Sequence, residues 1–388
     1  MKADFSKRLK KLPPYLFLEI DKAKQKARQE GKDIIDLGIG DPDIGTPEEV
    51  IESLYKATKD PRNHHYPLDQ GIADFRKKIV EWYRDRFGVR LDPEREVLAL
   101  IGSKEGIAHL PLAFLDEKDV ALVPDPCYPP YRGGVILAGG TVYNMPLLEE
   151  NNFLPDLKRI EKSVLKKAKL LYINYPNNPT GAVCEKGFFE DVVLFAKRYN
   201  IIVAHDAAYS EITFDGYKPE SFLKVDGAMD VGVEFHSLSK TCNMTGWRIG
   251  FVCGNEWIIR GIAKVKSNID SGVFTAIQLA GVTALDIAKR HAERMNLIYE
   301  DRRDALVDGL NSIGWKTRKT KATFYVWTRL PAPYRSSIKF AKMVLDRAGI
   351  VLTPGIGFGS AGEGYVRMAL TVSKDRIREA LDRFKKIL

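Results

Sequence analysis

From residue 97 onward the chain alternates strand-length hydrophobic runs with longer amphipathic ones, and each change of period falls at a polar or glycine-rich turn. Residues 97–101, 120–124, 169–173, 201–204 and 231–236 read as strands, mostly too apolar to face water on either side. Helical periodicity fills 107–115 and 188–199 between them. This alternation predicts an α/β fold, a mainly parallel sheet with helices on both faces.

The flanks carry a different pattern. Residues 1–12 are basic, and 12–17 hold two prolines, so an extended arm is expected there, ahead of a charged helix at about 18–30 that stops at Gly31. A short strand runs into the turn Gly38-Ile39-Gly40-Asp41-Pro42, a helix starts at Thr46-Pro47-Glu48-Glu49, and another spans 72–87. Toward the C-terminus a long charged helix is expected over about 286–312. A strand at 323–328, a helix at 336–348, a glycine-rich loop, a strand at 365–370 and a helix at 374–388 follow. The pattern divides the chain into a large domain, 46–285, and a smaller α+β domain formed by 286–388 with the arm, 1–45.

Length supports that division, because 388 residues exceed one typical core. The net charge of +9 could suggest nucleic acid, but 51 acidic residues are interleaved with 60 basic ones, and no RNA-binding aromatic motif occurs. A solvated surface with a local site for an anionic cofactor or substrate fits better. Four cysteines show neither disulfide nor zinc spacing. His64-His65 lacks further ligands at useful spacing and reads as loop, so no metal is expected. With no secretory h-region and no apolar run of membrane length, a cytoplasmic protein is expected.

The chemistry gathers after the strands. Ser237-Leu238-Ser239-Lys240 puts hydroxyls beside a lysine, and Arg248 follows eight residues on. Such a set can hold a phosphate next to an amine, although a surface turn would look the same. Gly102-Ser103-Lys104-Glu105-Gly106 offers a helix N-terminus as a phosphate cradle, or an ordinary turn. Tyr128, Asn178, Asp206 and Tyr209 also stand just past predicted strands, where α/β proteins collect their ligands. Arg367 is alone on an apolar strand, where a charge is costly unless paired.

The series Asn178-Pro179-Thr180-Gly181, Asp206 with Tyr209, Ser237-Leu238-Ser239-Lys240 with Arg248, and Arg367 resembles the class I/II aminotransferases, pyridoxal 5'-phosphate enzymes of fold type I. Residues 12–17, 100–107 and 205–209 resemble the LL-diaminopimelate aminotransferases within that family. The resemblance implies roles. Lys240 would join the cofactor and then move the proton, and Asp206 would pair with the pyridinium nitrogen. Asn178 and Tyr209 would bond the phenolic oxygen, and Tyr128 would stack on the ring. Ser103, Lys104, Ser237, Ser239 and Arg248 would hold the phosphate. Tyr66 would reach the phosphate of a neighbouring subunit, which implies a homodimer with shared sites. Arg367 would clasp the substrate carboxylate, with Tyr15, Gly40, Lys104, Tyr128 and Asn178 as further substrate contacts. Asp69 would read the distal end of the substrate, where plant members have a glutamate. The implied reaction exchanges an amino group between LL-2,6-diaminopimelate and 2-oxoglutarate, giving tetrahydrodipicolinate and glutamate. Aspartate, alanine or aromatic aminotransferases and a β-eliminating lyase share the same residues as alternatives.

Overall fold

The computed structural model describes residues 4–13 and 16–388. It begins with helices α1 (Lys7–Lys10) and α2 (Leu16–Gln29), strand β1 (Ile35–Asp36), and helices α3 (Glu48–Thr58) and α4 (Ala73–Phe87). A regular series follows: β2 (Val97–Leu100), α5 (Ser103–Phe114), β3 (Val120–Asp125), α6 (Pro130–Ala138), β4 (Thr141–Pro146), α7 (Lys162–Leu165), β5 (Ala168–Asn174), α8 (Lys186–Tyr199) and β6 (Ile202–Asp206). Next come α9 (Ala228–Val231), β7 (Gly232–Ser237), α10 (Leu238–Thr241), β8 (Gly250–Gly254), α11 (Glu256–Lys266) and α12 (Thr275–Ser312). The C-terminal part holds β9 (Tyr325–Arg329), α13 (Ser337–Ala348), β10 (Ile350–Val351), β11 (Thr353–Pro354), β12 (Tyr365–Ala369) and α14 (Lys374–Ile387).

Seven strands form the central sheet in the order β2-β8-β7-β6-β5-β3-β4. The pairs from β7 to β4 are parallel, as the buried apolar runs require, while β8 is antiparallel to both β7 and β2. The link from β7 to β8 contains only the single turn α10 and no crossover helix, so the chain reverses direction. Hydrophobic side chains cover both faces of the sheet. Phe75, Ile79, Leu122 and Phe251 belong to the core on one side, and Leu100, Leu110, Val123 and Phe235 to the core on the other.

A second, smaller sheet, β11-β12-β9, is antiparallel and packs with α13 and α14 around Phe324, Phe340, Met368 and Phe384. β1 pairs in parallel with β10, so the first turn of the chain belongs beside this smaller sheet. Helix α12 runs unbroken for 38 residues, packing on α3 and α4 at one end and on α14 at the other.

Several expectations are corrected. Helix α2 begins at Leu16, inside the segment expected to be extended, because proline restricts the residue before it and leaves those after it free to become helical. Helix α5 begins at Ser103, so residues 103–106 are its first turn and not a loop. Helix α12 begins at Thr275, not near 286; its first turns are apolar, and the charge pattern revealed only its exposed half. β4 and α11 were not anticipated. β4 is an edge strand whose mixed exposure hides its period.

Candidate active site

The carboxyl ends of β5, β6 and β7 lie level, with Asn174 opposite Asp206 and Asp206 opposite Phe235. A cavity of about 320 Å³ opens at this edge. Asn174 wires two of its walls together: its Nδ2 donates to the Asp206 carbonyl at 2.7 Å, and its Oδ1 accepts from the Asn178 N–H at 2.8 Å. Backbone that must leave a strand and still satisfy its polar groups thus fixes Asn178 and Asp206 relative to each other.

Asp206 is buried at the end of β6. The Tyr131 hydroxyl donates to its Oδ2 at 2.7 Å and the Ala208 N–H to its Oδ1 at 3.2 Å. Tyr131 is itself stacked on Tyr172, with ring centroids 4.9 Å apart. Burial pushes the Asp206 carboxyl above its ordinary range; the Tyr131 and Ala208 hydrogen bonds and the positive fields of His205 and His236 oppose that. Both direct donors are neutral, so the carboxylate suits a cationic group in the cavity.

Lys240 is carried on α10, one turn past the end of β7, and its Nζ donates to the Gly40 carbonyl at 2.8 Å. Burial lowers the amine to about 8, with Asp41 opposing and Arg367 and Arg248 adding to the shift. An amine in that range has an appreciable free-base fraction near neutrality.

Ser103, Lys104, Ser237, Ser239 and Arg248 line the adjoining wall. Arg248 has a φ of 55° and donates from Nη1 to the Thr245 carbonyl at 2.9 Å. Its guanidinium passes so close to Gly102, φ 76°, that a Cβ there would collide with it. Glycine is needed at 102 for both reasons. Lys104, Lys240, Arg248 and Arg367 face Asp206 as the one acid among the described residues of the lining, so the cavity favours anions.

Arg367 comes from β12 in the smaller sheet. It is buried, donates from Nη1 to Asn178 Oδ1 at 2.9 Å and from Nη2 to the Gly38 carbonyl at 2.8 Å. Its guanidinium lies 4.0 Å from the Tyr325 ring centre and 4.7 Å from that of Phe358. The Tyr325 and Tyr209 hydroxyls are 3.1 Å apart, and burial holds the Tyr209 hydroxyl far above its ordinary value. Gly40 presses on Tyr325, where any Cβ would strike the hydroxyl.

The cavity therefore brings together Gly40, Ser103, Lys104, Tyr128, Asn178, Asp206, Tyr209, Ser237, Ser239, Lys240, Arg248 and Arg367. Tyr66 and Asp69 are not brought there within this chain. Tyr66 is 90% exposed, and Asp69 lines a separate surface hollow with Glu94 and Arg260. Tyr15 lies outside the described residues. Sequence reasoning missed Tyr131, Tyr325 and Phe358. Tyr131 had a signal, standing one helical turn after Tyr128; the other two sit among aromatic and glycine-rich neighbours that mark nothing by themselves. The four cysteines are buried and free, as their spacing suggested. Among the described residues, no helix is long and apolar enough to cross a membrane.

The model of the family "aminotransferase class I and II" matches residues 32–384. The LL-diaminopimelate aminotransferase of Syntrophobacter fumaroxidans is 55% identical over 382 residues, 98% of each chain. The enzyme of the same name from Halothermothrix orenii is 53% identical over 378 residues, 97% of each chain. Substrate-bound BacF from Bacillus subtilis has the same fold, with a TM-score of 0.96 at 39% identity over 99% of this chain and 98% of that one. With its mainly parallel sheet, the lysine that lines its cavity and its matched length, this chain belongs to the class I and II aminotransferases.

Proposed function

We propose that this chain is a pyridoxal phosphate-dependent LL-diaminopimelate aminotransferase. It would exchange the amino group between LL-2,6-diaminopimelate and 2-oxoglutarate, giving tetrahydrodipicolinate and glutamate in lysine biosynthesis. The observation that carries the chemistry is the Lys240 amine, lowered to about 8 in a cavity that also holds a buried carboxylate and a buried guanidinium. The names of the relatives, at 53–55% identity over nearly full length, support the substrate.

The residues fit the cofactor. Asp206, whose direct donors are neutral, would offer its carboxylate to a pyridinium nitrogen, and Asn178 and Tyr209 would bond the phenolic oxygen. Ser103, Lys104, Ser237, Ser239 and Arg248 make an anion cradle at the start of α5 and of α10. Tyr128 would cover the ring. Bound pyridoxal phosphate supplies the electron sink for a carbanion at the substrate Cα.

The chain's own groups do the rest. Lys240 would take the proton from the substrate Cα and, in the reverse direction, give it back, as an amine lowered to about 8 can do. Arg367 holds the α-carboxylate by a bidentate fork, aimed by Asn178, Gly38 and the two aromatic faces. The distal end of diaminopimelate would extend away from Arg367 toward Asp69 of a second subunit, whose Tyr66 would reach the phosphate, with Tyr15 of the arm as a further substrate contact. We take the working form to be a cytoplasmic homodimer for that reason.

A spectral titration tests the reading. Adding LL-diaminopimelate to the holoenzyme should bleach the lysine-bound cofactor band and raise the pyridoxamine band, with glutamate formed from 2-oxoglutarate. A panel in which aspartate, alanine or an aromatic amino acid turns over and diaminopimelate does not would sink the substrate assignment. Release of pyruvate and ammonia from cysteine-like substrates would point to the lyase.

A further inference from the structure

The backbone carbonyls of residues 37–40 are all engaged. That of Leu37 accepts from the Ala369 N–H at 2.7 Å. That of Gly38 accepts from Arg367 Nη2 at 2.8 Å and from Thr353 Oγ1 at 2.7 Å. That of Ile39 accepts from Thr371 Oγ1 at 2.8 Å, and that of Gly40 from Lys240 Nζ at 2.8 Å. One strap of backbone thus meets both the guanidinium and the amine of the cavity, through carbonyls two residues apart. Apart from Lys240 on α10, these donors belong to β11, to β12 or to the residues just after it.

Past Gly40 the strap is gripped again. Arg302 of α12 is buried and donates from Nη1 to Asp43 Oδ1 at 2.7 Å and from Nη2 to Asp43 Oδ2 at 2.8 Å. The same Nη1 donates to the Leu370 carbonyl at 3.0 Å, between Ala369 and Thr371, which hold Leu37 and Ile39. One guanidinium therefore ties the far end of the strap to the end of the strand that carries Arg367. Its two-pronged pairing fixes orientation as well as distance. Gly40 is left between two anchors, Thr371 on Ile39 and Arg302 on Asp43.

The next residue supplies a comparison. Arg303 is buried too, and it holds Asp215 by the same fork, Nη1 at 2.6 Å and Nη2 at 3.1 Å, while Nη1 also donates to the Thr320 carbonyl at 2.8 Å. Successive side chains on a helix point about 100° apart, so this twin grips different backbone. The two arginines match in burial and in type of partner, and differ in what they hold.

We propose that Arg302, acting through Asp43, is a positioning residue for the reaction: it sets the strap so that Gly38 aims the fork of Arg367 and Gly40 aims the amine of Lys240. This rests on the reading that the cavity is the site of transamination. Neither Arg302 nor Asp43 stands in the cavity lining. The α-carboxylate and the proton on Cα belong to neighbouring carbon atoms of the substrate, so fork and amine must be set relative to each other. A misplacement of about 1 Å between such groups can cost about 100-fold in rate.

Kinetics of the holoenzyme beside thermal unfolding test this. Arg302→Lys and Arg303→Lys each keep a cation and lose a fork, so both should lower Tm. Arg302→Lys alone should raise KM about tenfold for the amino donor and for 2-oxoglutarate, and in single turnover slow the step that shows the Cα deuterium isotope effect about tenfold. Asp43→Asn, at a side chain that is partly exposed, should give the same pattern in weaker form, and it carries the test if Arg302→Lys does not fold. Wild-type KM and an unslowed isotope-sensitive step in Arg302→Lys or, failing that, in Asp43→Asn overturn the proposal. Equal kinetic losses in Arg303→Lys overturn it too, since any lost ion pair in α12 would then do the same. A wild type that exchanges another amino acid in place of diaminopimelate would sink the substrate assignment alone, and the same kinetics would be run with that amino acid. A wild type that exchanges none would sink the proposed function and this inference with it.

Discussion

Lys266, at the end of α11, has a fully buried side chain whose ammonium lies 3.1 Å from Glu105 and 2.6 Å from Asp270. The Lys240 amine also sits away from bulk water, yet its hydrogen bond goes to the neutral Gly40 carbonyl, and Arg367 and Arg248 add positive charge nearby. The same side chain is a structural cation in one place and a poised base in the other. The difference lies in the company: two carboxylates face the Lys266 ammonium, while the Lys240 amine meets a neutral carbonyl and burial lowers it.

The comparison can be broken, first, at Lys240. Lys240→Ala should lower transamination by at least about 10⁴-fold, the upper range for a lost acid–base group, while Lys266→Met should leave turnover of the folded fraction near wild type. Single-turnover assays with purified variants check this; near-wild-type rates in Lys240→Ala would refute the assignment. Next comes Arg367→Lys, which keeps the charge and loses the fork. A roughly 100-fold fall in kcat/KM is expected, carried mainly by KM if the lost contacts serve substrate binding alone.

The stability effects reverse the ranking of the two lysines. Lys266→Met should cost about 3 kcal/mol in denaturant unfolding, because Glu105 and Asp270 are left facing each other without their cation. For Lys240 the sign is opposite. Its folded value, about 8, is below the unfolded one near 10.5, so the unfolded chain holds the extra proton between those values. Apoenzyme stability should therefore rise by about 3 kcal/mol from this group as pH goes from 8 to 10.5, and the rise should vanish in Lys240→Met. The smallest effect is expected at Tyr325→Phe. Losing one hydroxyl that meets Tyr209 should cost about 1 kcal/mol in kcat/KM, with Arg367 still supported by the ring.

Much of this site was legible in the chain because its residues follow strands. Asp206, Lys240 and Asn178 stand where buried runs stop, and backbone leaving a parallel sheet converges at one edge. Arg367 was legible for another reason, as a charge on an apolar strand. Tyr325 and Phe358 were not, since an aromatic residue in an apolar run reads as core until the fold sets a guanidinium against it. The start of α12 was missed because charge marked only its solvated half.

That helix also sets a condition on how the chain can vary. Its 38 residues hold Lys240's side of the cavity through α3, α4 and α10, and Arg367's side through α14. One residue added near its middle would turn one end against the other by about 100° and lengthen the span by about 1.5 Å. Insertions and deletions between 275 and 312 would pull the fork of Arg367 out of line with the amine.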